Sequence, residues 1–409
     1  MLKSIHISIA DKDIFHQQVL VHFAEVQNLV FINRNNQETN FIAVSNSSQI
    51  KQNSWQFGFV SYDYKNQIET QLHSSNIDKI QFAEKHFFSP ELLFEITQHQ
   101  VIVRFDADIY HEEQVHQIID EIKQTELSAP INQNIKITPR LIKEEYLTKV
   151  KALQQHIQLG DIYEVNFCQE FYAEEVEINP LSLYLKLNEK SPTPFSCFVK
   201  HKDTYLLSAS PERFIQKTGD TIISQPIKGT IKRGATKQED EQLKQQLQND
   251  LKERSENIMI VDLVRNDLSK IAQKNSVKVD ELCGVYTFPQ VHQMISTVSA
   301  QLKKDVDFDV ILKATFPMGS MTGAPKVRAM ELIEEYETTK RGLYSGTVGY
   351  INDKGDFDFN VVIRSITYNQ KNKYLSYIVG GAITALSNPE KEYEECLLKA
   401  KAMKEVLSE

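Results

Sequence analysis

Three groups of residues in this chain combine types and spacings suited to chemistry. Ser210-Pro211-Glu212-Arg213-Phe214 is followed, on what reads as the next strand, by Pro226-Ile227-Lys228-Gly229-Thr230. A lysine between isoleucine and glycine at a strand end can point into a pocket, where desolvation would lower its pKa and make Lys228 a nucleophile. Glu212, in the partly apolar setting of a neighbouring strand, would keep its proton and serve as a general acid. The same two residues also suit an exposed cross-strand ion pair. A second group is Phe316-Pro317-Met318-Gly319-Ser320-Met321-Thr322-Gly323-Ala324-Pro325-Lys326, running into a helix over 327–336. Gly319 and Gly323 let backbone amides approach a ligand, Thr322 is a good N-cap, and Pro325 is tolerated in a first helical turn. Free amides at that helix start, with Lys326 nearby, suit a carboxylate or phosphate. The loop lacks the GK[ST] ending of a nucleotide P-loop, and an ordinary capped loop explains it equally. The third group is acidic: Glu256 on one helical segment, and Glu392 and Glu395 three apart on another. That spacing shares a helix face. Carboxylates from two helices make an all-oxygen site suited to Mg²⁺, while each glutamate taken singly suits a solvated surface.

The elements that must position these groups can be traced by periodicity. Residues 1–135 alternate short β-like runs, at 57–62 and 101–105, with helical stretches such as 114–122. The turn formers of Ser128-Ala129-Pro130-Ile131-Asn132-Gln133-Asn134 mark a linker, and a second region then runs from 136 to 409. Tyr146, Val150, Leu153 and Ile157 lie at helical spacing within 142–158, and Gly160-Asp161 ends that helix before alternation over 162–172. Strands are expected at 195–199, 204–208, 213–216, 221–227, 291–302, 345–351, 357–368 and 374–383. Residues 236–273 read as helical, and an amphipathic helix over 389–407 closes the chain. Strands grouped in blocks, with few regular βαβ units, favour an α+β sandwich over a Rossmann fold.

Composition narrows the function classes. With 41% hydrophobic and 25% charged residues, the 409-residue chain has ordinary globular usage and can bury a large core. A formal charge of −9 argues against a nucleic-acid partner, which would meet a basic stripe. It leaves room for a small anionic substrate, since a few arginines and a metal reverse the sign locally. Four scattered cysteines without a CxxC pair read as reduced thiols. The polar start and the lack of any run of roughly 18 apolar residues imply a cytoplasmic protein without a membrane span.

Taken in order, the motifs resemble the chorismate-utilising enzymes: anthranilate, aminodeoxychorismate, isochorismate and salicylate synthases. The matching segments are Gly160-Asp161-Ile162-Tyr163, 210–214, 226–230, Ile260-Val261-Asp262-Leu263-Val264-Arg265-Asn266-Asp267, 316–326, Tyr344-Ser345-Gly346, Ile363-Arg364 and 392–395. They cover about two thirds of the chain, from 142 to 408. The resemblance implies a four-layer α/β/β/α sandwich of the α+β class, with two large antiparallel sheets and the site between them. The residue inside Pro-Ile-x-Gly-Thr separates members: most carry alanine, whereas aminodeoxychorismate synthases carry lysine, here Lys228.

That likeness implies chorismate plus ammonia as substrates and 4-amino-4-deoxychorismate, a precursor of para-aminobenzoate and folate, as product. Anthranilate synthase component I and a silent chorismate-binding subunit are the alternatives. It further implies Mg²⁺ on Glu256 and Glu395, with Glu392 acting through water. Arg364 and Tyr344 would hold the enolpyruvyl carboxylate, helped by backbone at Gly380 and Gly381; Thr322, Gly323, Lys326, Gln293 and Glu164 would also bind substrate. Lys228 would attack C2 while Glu212 protonates the departing hydroxyl. No Cys–His–Glu amidotransferase segment is visible, so a separate glutamine amidotransferase subunit is expected to supply ammonia. Three positions depart from the family pattern: Glu164 stands for glutamine, Gln293 for histidine, and Ala382 for glycine. His292, beside Gln293, is expected to face the other side of its strand.

Overall fold

The computed structural model describes residues 2–35, 39–127, 134–288 and 291–408. Of the expected linker over 128–134, residues 128–133 lie outside these.

Alternating side chains bury both faces of two antiparallel sheets, which have twelve and nine strands among the described residues. Strand Phe195–His201 illustrates the pattern. Phe198 turns to a cluster with Phe31, Tyr184 and Leu207 on the helical side, while Cys197 and Val199 turn to Phe57, Phe59 and Phe88 of the facing sheet. Helices cover the outer faces. The terminal helix Pro389–Ser408 packs on strand Tyr374–Ile383 of the larger sheet, beside helix Lys143–Leu159. Helix Leu251–Ile271 packs on strands Val291–Gln301 and Ile227–Lys232 of the smaller one. The result is the expected α/β/β/α order. Strands from the first 135 residues enter both sheets: Asn28–Asn33 pairs with Phe195–His201, and Gln56–Val60 pairs with Thr347–Ile351. No helix among the described residues is long and apolar enough to cross a membrane.

Several expected elements divide, each for a local reason. The strand over 221–227 breaks at Pro226, which has no N–H for a ladder, into Thr221–Gln225 and Ile227–Lys232. The helical run over 236–273 becomes Lys237–Asn249 and Leu251–Ile271; the Asp250 carboxylate between them accepts from the Glu253 amide as an N-cap. The strand over 357–368 splits more consequentially. Phe357–Asn360 pairs with Arg213–Thr218 in the smaller sheet, and Ser365–Asn369 pairs with Thr204–Ser210 in the larger one. Residues 361–364 therefore cross from one sheet to the other. Strand Lys278–Thr287 has no expected counterpart, because its largely exposed residues leave no period-2 apolar signal.

A buried ion pair pins the rear of the fold. Arg341 is 3% exposed and Glu337 5%. The Arg341 guanidinium donates to both Glu337 oxygens (2.6 and 2.9 Å) and to the carbonyls of Met321 and Asn166, each at 2.7 Å. Glu337 Oε1 in turn accepts from the Cys168 amide at 2.9 Å. Removing one partner of such a pair strands the other's charge in the interior. Arg341→Ala is expected to cost about 3–5 kcal/mol of unfolding free energy, measured by urea denaturation.

Candidate active site

A cavity of about 710 Å³ opens between the sheets, and most of the expected site residues line it. Lys228 reaches it through a backbone irregularity. The ladder between strands Ile227–Lys232 and Val291–Gln301 slips between Ile227 and Thr230, and Gly229 there has φ +92°. A bulge with a left-handed glycine re-aims the adjoining side chain. Lys228 Nζ then donates to Glu164 Oε1 at 3.0 Å, joining the smaller sheet to strand Glu164–Ala173 of the larger.

This geometry corrects the expected state of Lys228. Burial does pull its pKa down, but the charges of Glu164, Glu256 and Glu212 outweigh burial and hold it above the ordinary lysine value. At rest Lys228 is an ammonium. Glu164, one of the departures from the family pattern, is the reason.

Glu212 is buried at the cavity wall. Burial pushes its carboxyl up to about 7, against the Ser320 hydroxyl, which donates to Oε1 at 2.8 Å, and the charge on Lys228. Its own strand shifts register just beyond it, and its carbonyl accepts from the Val361 amide at 3.0 Å, where the chain starts to cross between sheets. That crossing delivers Arg364, whose backbone sits at φ +51°. Its guanidinium faces the cavity and makes no hydrogen bond or ion pair among the described residues; burial lowers its pKa and only the Glu212 charge opposes this. An unpaired buried guanidinium is a ready anion subsite. Tyr344, 5% exposed, lines the same wall, with its hydroxyl 3.7 Å from Cys168 Sγ.

The three acidic residues also meet at the cavity. A Cβ on Gly381 would stand 3.5 Å from Glu392 Oε2 and 3.7 Å from Glu395 Oε1, so both carboxylates lie over that glycine. Gly380 is required for a different reason, since its Cβ would come within 2.3 Å of the Phe167 carbonyl on the neighbouring strand. Lys252 stands 3.7 Å from Glu256 Oε1 and 3.5 Å from Glu392 Oε1, and Lys399 pairs with Glu395 at 2.7 Å. Among the described residues, no three acidic, histidine or cysteine side chains converge as a preformed metal site. The donors nevertheless suit Mg²⁺, which takes one or two carboxylates and completes its shell with water and substrate oxygens. Glu256 Oε1 is buried without a hydrogen bond, and burial raises the Glu256 carboxyl to about 7. A cation would satisfy it.

Gln293 lines the cavity with Oε1 buried and unbonded, and Ala382 lines it too. His292 faces the other way as expected, with Nε2 2.9 Å from Asp240 and Nδ1 3.0 Å from Thr287. Four other assignments differ, because Thr322, Gly323, Lys326 and Glu164 do not line the cavity; Glu164 stands behind Lys228, on its Nζ. The Thr322 hydroxyl turns back to the Met318 and Gly319 carbonyls, and Pro325, not Thr322, precedes the helix at Lys326–Tyr336. Lys326 is occupied by Asp267 and by the carbonyls of Thr315 and Pro317. Gly323 pairs with Val165 at φ +147°, where a Cβ would meet the Glu164 carbonyl at 2.2 Å. This loop serves the site indirectly: it braces the strand that bears Glu164 and supplies Ser320 to Glu212. Ser320, Lys252 and Arg341 went unread in the sequence, because a serine in a glycine-rich loop or a lysine on a polar helix carries no periodic signal.

The model of the chorismate binding enzyme family matches residues 4–405, taking in the N-terminal strands as well as the motif-bearing region. Aminodeoxychorismate synthase component 1 of Bacillus subtilis is 32% identical over 361 residues, 86% of this chain and 76% of that protein. The Salmonella typhimurium protein of the same name is 44% identical over 251 residues, 61% of this chain; the chain spans about half of that relative's length (55%). The crystal structure of anthranilate synthase component I from Streptococcus pneumoniae superposes with a TM-score of 0.74 at 25% identity, covering 98% of this chain and 92% of that one. With the family model matching residues 4–405, the chain belongs to the chorismate binding enzyme family.

Proposed function

We propose that this chain converts chorismate and ammonia to 4-amino-4-deoxychorismate. The observation that carries the reading is Lys228, aimed into the cavity from a bulged strand with Glu212 as a buried acid on the same cavity wall. Arg364 and Tyr344 take the enolpyruvyl carboxylate, and the ring carboxylate points to the glutamate-rich end. Glu256 and Glu395, with Glu392 helping through water, would hold Mg²⁺, which would supply positive charge for that carboxylate. Nζ of Lys228 forms a bond to C2, the ring double bonds shift, and the C4–O bond breaks. Glu212 gives its proton to the leaving hydroxyl, which departs as water. Ammonia then bonds to C4 and the C2–Nζ bond breaks. Two covalent steps replace one difficult substitution. The label component 1 on the Bacillus and Salmonella relatives supports a second subunit, a glutamine amidotransferase, as the ammonia source. Amination at C2, the chemistry of the anthranilate synthases, is disfavoured because Lys228 claims that carbon.

Incubation with chorismate and Mg²⁺ but no ammonia is expected to leave an adduct on Lys228, seen by intact-protein mass spectrometry as chorismate less one water. Lys228→Ala loses the adduct, and its residual product shifts to the ortho-amino isomer; para-amino product at the wild-type rate would sink the assignment. Glu212 must hold its proton, so adduct formation falls as pH rises through about 7. Glu212→Gln lowers the rate about 10²–10⁴-fold in stopped-flow assays. Glu395→Ala abolishes turnover in a protein that stays folded, and calorimetric titration with Mg²⁺ shows weakened binding. Unchanged affinity would remove Glu395 from the metal site.

A further inference from the structure

We infer that Glu164 is the proton acceptor that frees the Lys228 amine for attack and returns the proton when the lysine departs. The inference rests on the reading of Lys228 as a nucleophile. Glu164 is 1% exposed; Oε1 accepts from Nζ at 3.0 Å, and Oε2 is buried without a hydrogen-bond partner among the described residues. Its carboxylate thus touches the reacting nitrogen and has a free lone pair to take a proton.

The surroundings make this acceptor necessary. Facing the ammonium are Glu212 from the loop before strand Arg213–Thr218, Glu256 from helix Leu251–Ile271, and Glu395 from the terminal helix. Lys252 and Arg364 stand behind those carboxylates. The Glu164 carboxylate, in direct contact with Nζ at 3.0 Å, is the largest of the charges that hold Lys228 as an ammonium, and a charged lysine cannot attack. Loss of its proton to solvent would leave the Glu164 carboxylate buried, unpaired and close to a dianionic substrate. Transfer within the pair keeps its net charge at zero, so neither the cavity nor the substrate opposes it. Glu212 is already protonated as the acid, and Glu256 lies beyond ion-pair distance of Nζ.

The proton count closes. An N–H bond of Lys228 breaks, an O–H bond forms on Glu164, and the Nζ lone pair forms the C2–N bond. When ammonia bonds to C4, Nζ leaves as a neutral amine and recovers the proton from Glu164. The alkylammonium formed at C4 restores the proton that Glu212 gave to water.

The test is the pH dependence of adduct formation at saturating chorismate and Mg²⁺, without ammonia, followed by quenched-flow mass spectrometry. Between about pH 5.5 and 7, where Glu212 holds its proton, the wild-type rate is independent of pH. In Glu164→Gln the lysine proton must go to water, so the rate rises about tenfold per pH unit over that range. Glu164→Asp keeps a carboxylate and restores the flat profile, which a purely structural role would not do. A flat profile in Glu164→Gln, or a tenfold rise per unit in the wild type, overturns the proposal while leaving Lys228 as the nucleophile. Absence of any adduct in the wild type removes both.

Discussion

The Arg341–Glu337 ion pair is the interaction on which the rest of this molecule leans. A guanidinium has five donors in a rigid plane, and here they are spent on the Glu337 carboxylate, two main-chain carbonyls and the Ser345 hydroxyl at 3.3 Å. Those partners belong to four separate segments: the end of helix Lys326–Tyr336, the strand after Glu164, the loop bearing Ser320, and the turn bearing Tyr344. The Tyr62 ring, from the N-terminal region, covers the guanidinium at 4.5 Å. Ser345, one residue beyond Tyr344, receives Arg341 through its side chain and gives its amide to the Val362 carbonyl at 2.8 Å. That last bond holds the crossover that ends at Arg364. The cavity-lining segments that bear Tyr344, Arg364 and Ser320 are thus tied to a common anchor outside the cavity.

Inside the cavity the chain accepts charges that folding alone would reject. Burial disfavours Glu212, Glu256, Lys228 and Arg364 in their charged forms, and each is managed differently. Glu212 rises towards neutrality, Lys228 is neutralised by Glu164, Glu256 leans on Lys252, and Arg364 is left unpaired. An anionic ligand would pair with Arg364, and a cation would satisfy the unbonded Glu256 Oε1. Buried ionic groups of this kind rarely add stability, so their presence in one cavity is best explained by the ligand they complement.

The two sheets bury faces on both sides, and this is why a bulge and a crossover segment, rather than regular strand positions, present Lys228 and Arg364. A regular strand in this sandwich points alternate residues into apolar clusters. Lys228 escapes through the bulge at Gly229, and Arg364 escapes by sitting in a segment that belongs to neither sheet.

Periodicity in the sequence was enough to outline the helix at Lys143–Leu159, the terminal helix and most strands of the second region, because a half-buried element must repeat its apolar residues at its own period. The motifs around Lys228, Glu212 and the three glutamates were singled out for a different reason: taken in order they resemble one family, whereas each alone suits an ordinary ion pair or a solvated surface. Other matters had no local signature. Nothing in 357–368 tells that one apolar run serves two sheets, since both halves alternate alike. Nor does Thr322 differ, as a residue, from a helix cap; its hydroxyl is claimed by Met318 and Gly319 only once the loop is folded. The ionisation of Lys228 was decided by tertiary structure alone. Desolvation follows from its apolar neighbours in sequence, but the opposing carboxylate arrives from 64 residues away on the other sheet, and Coulomb attraction at 3.0 Å in a buried site outweighs it.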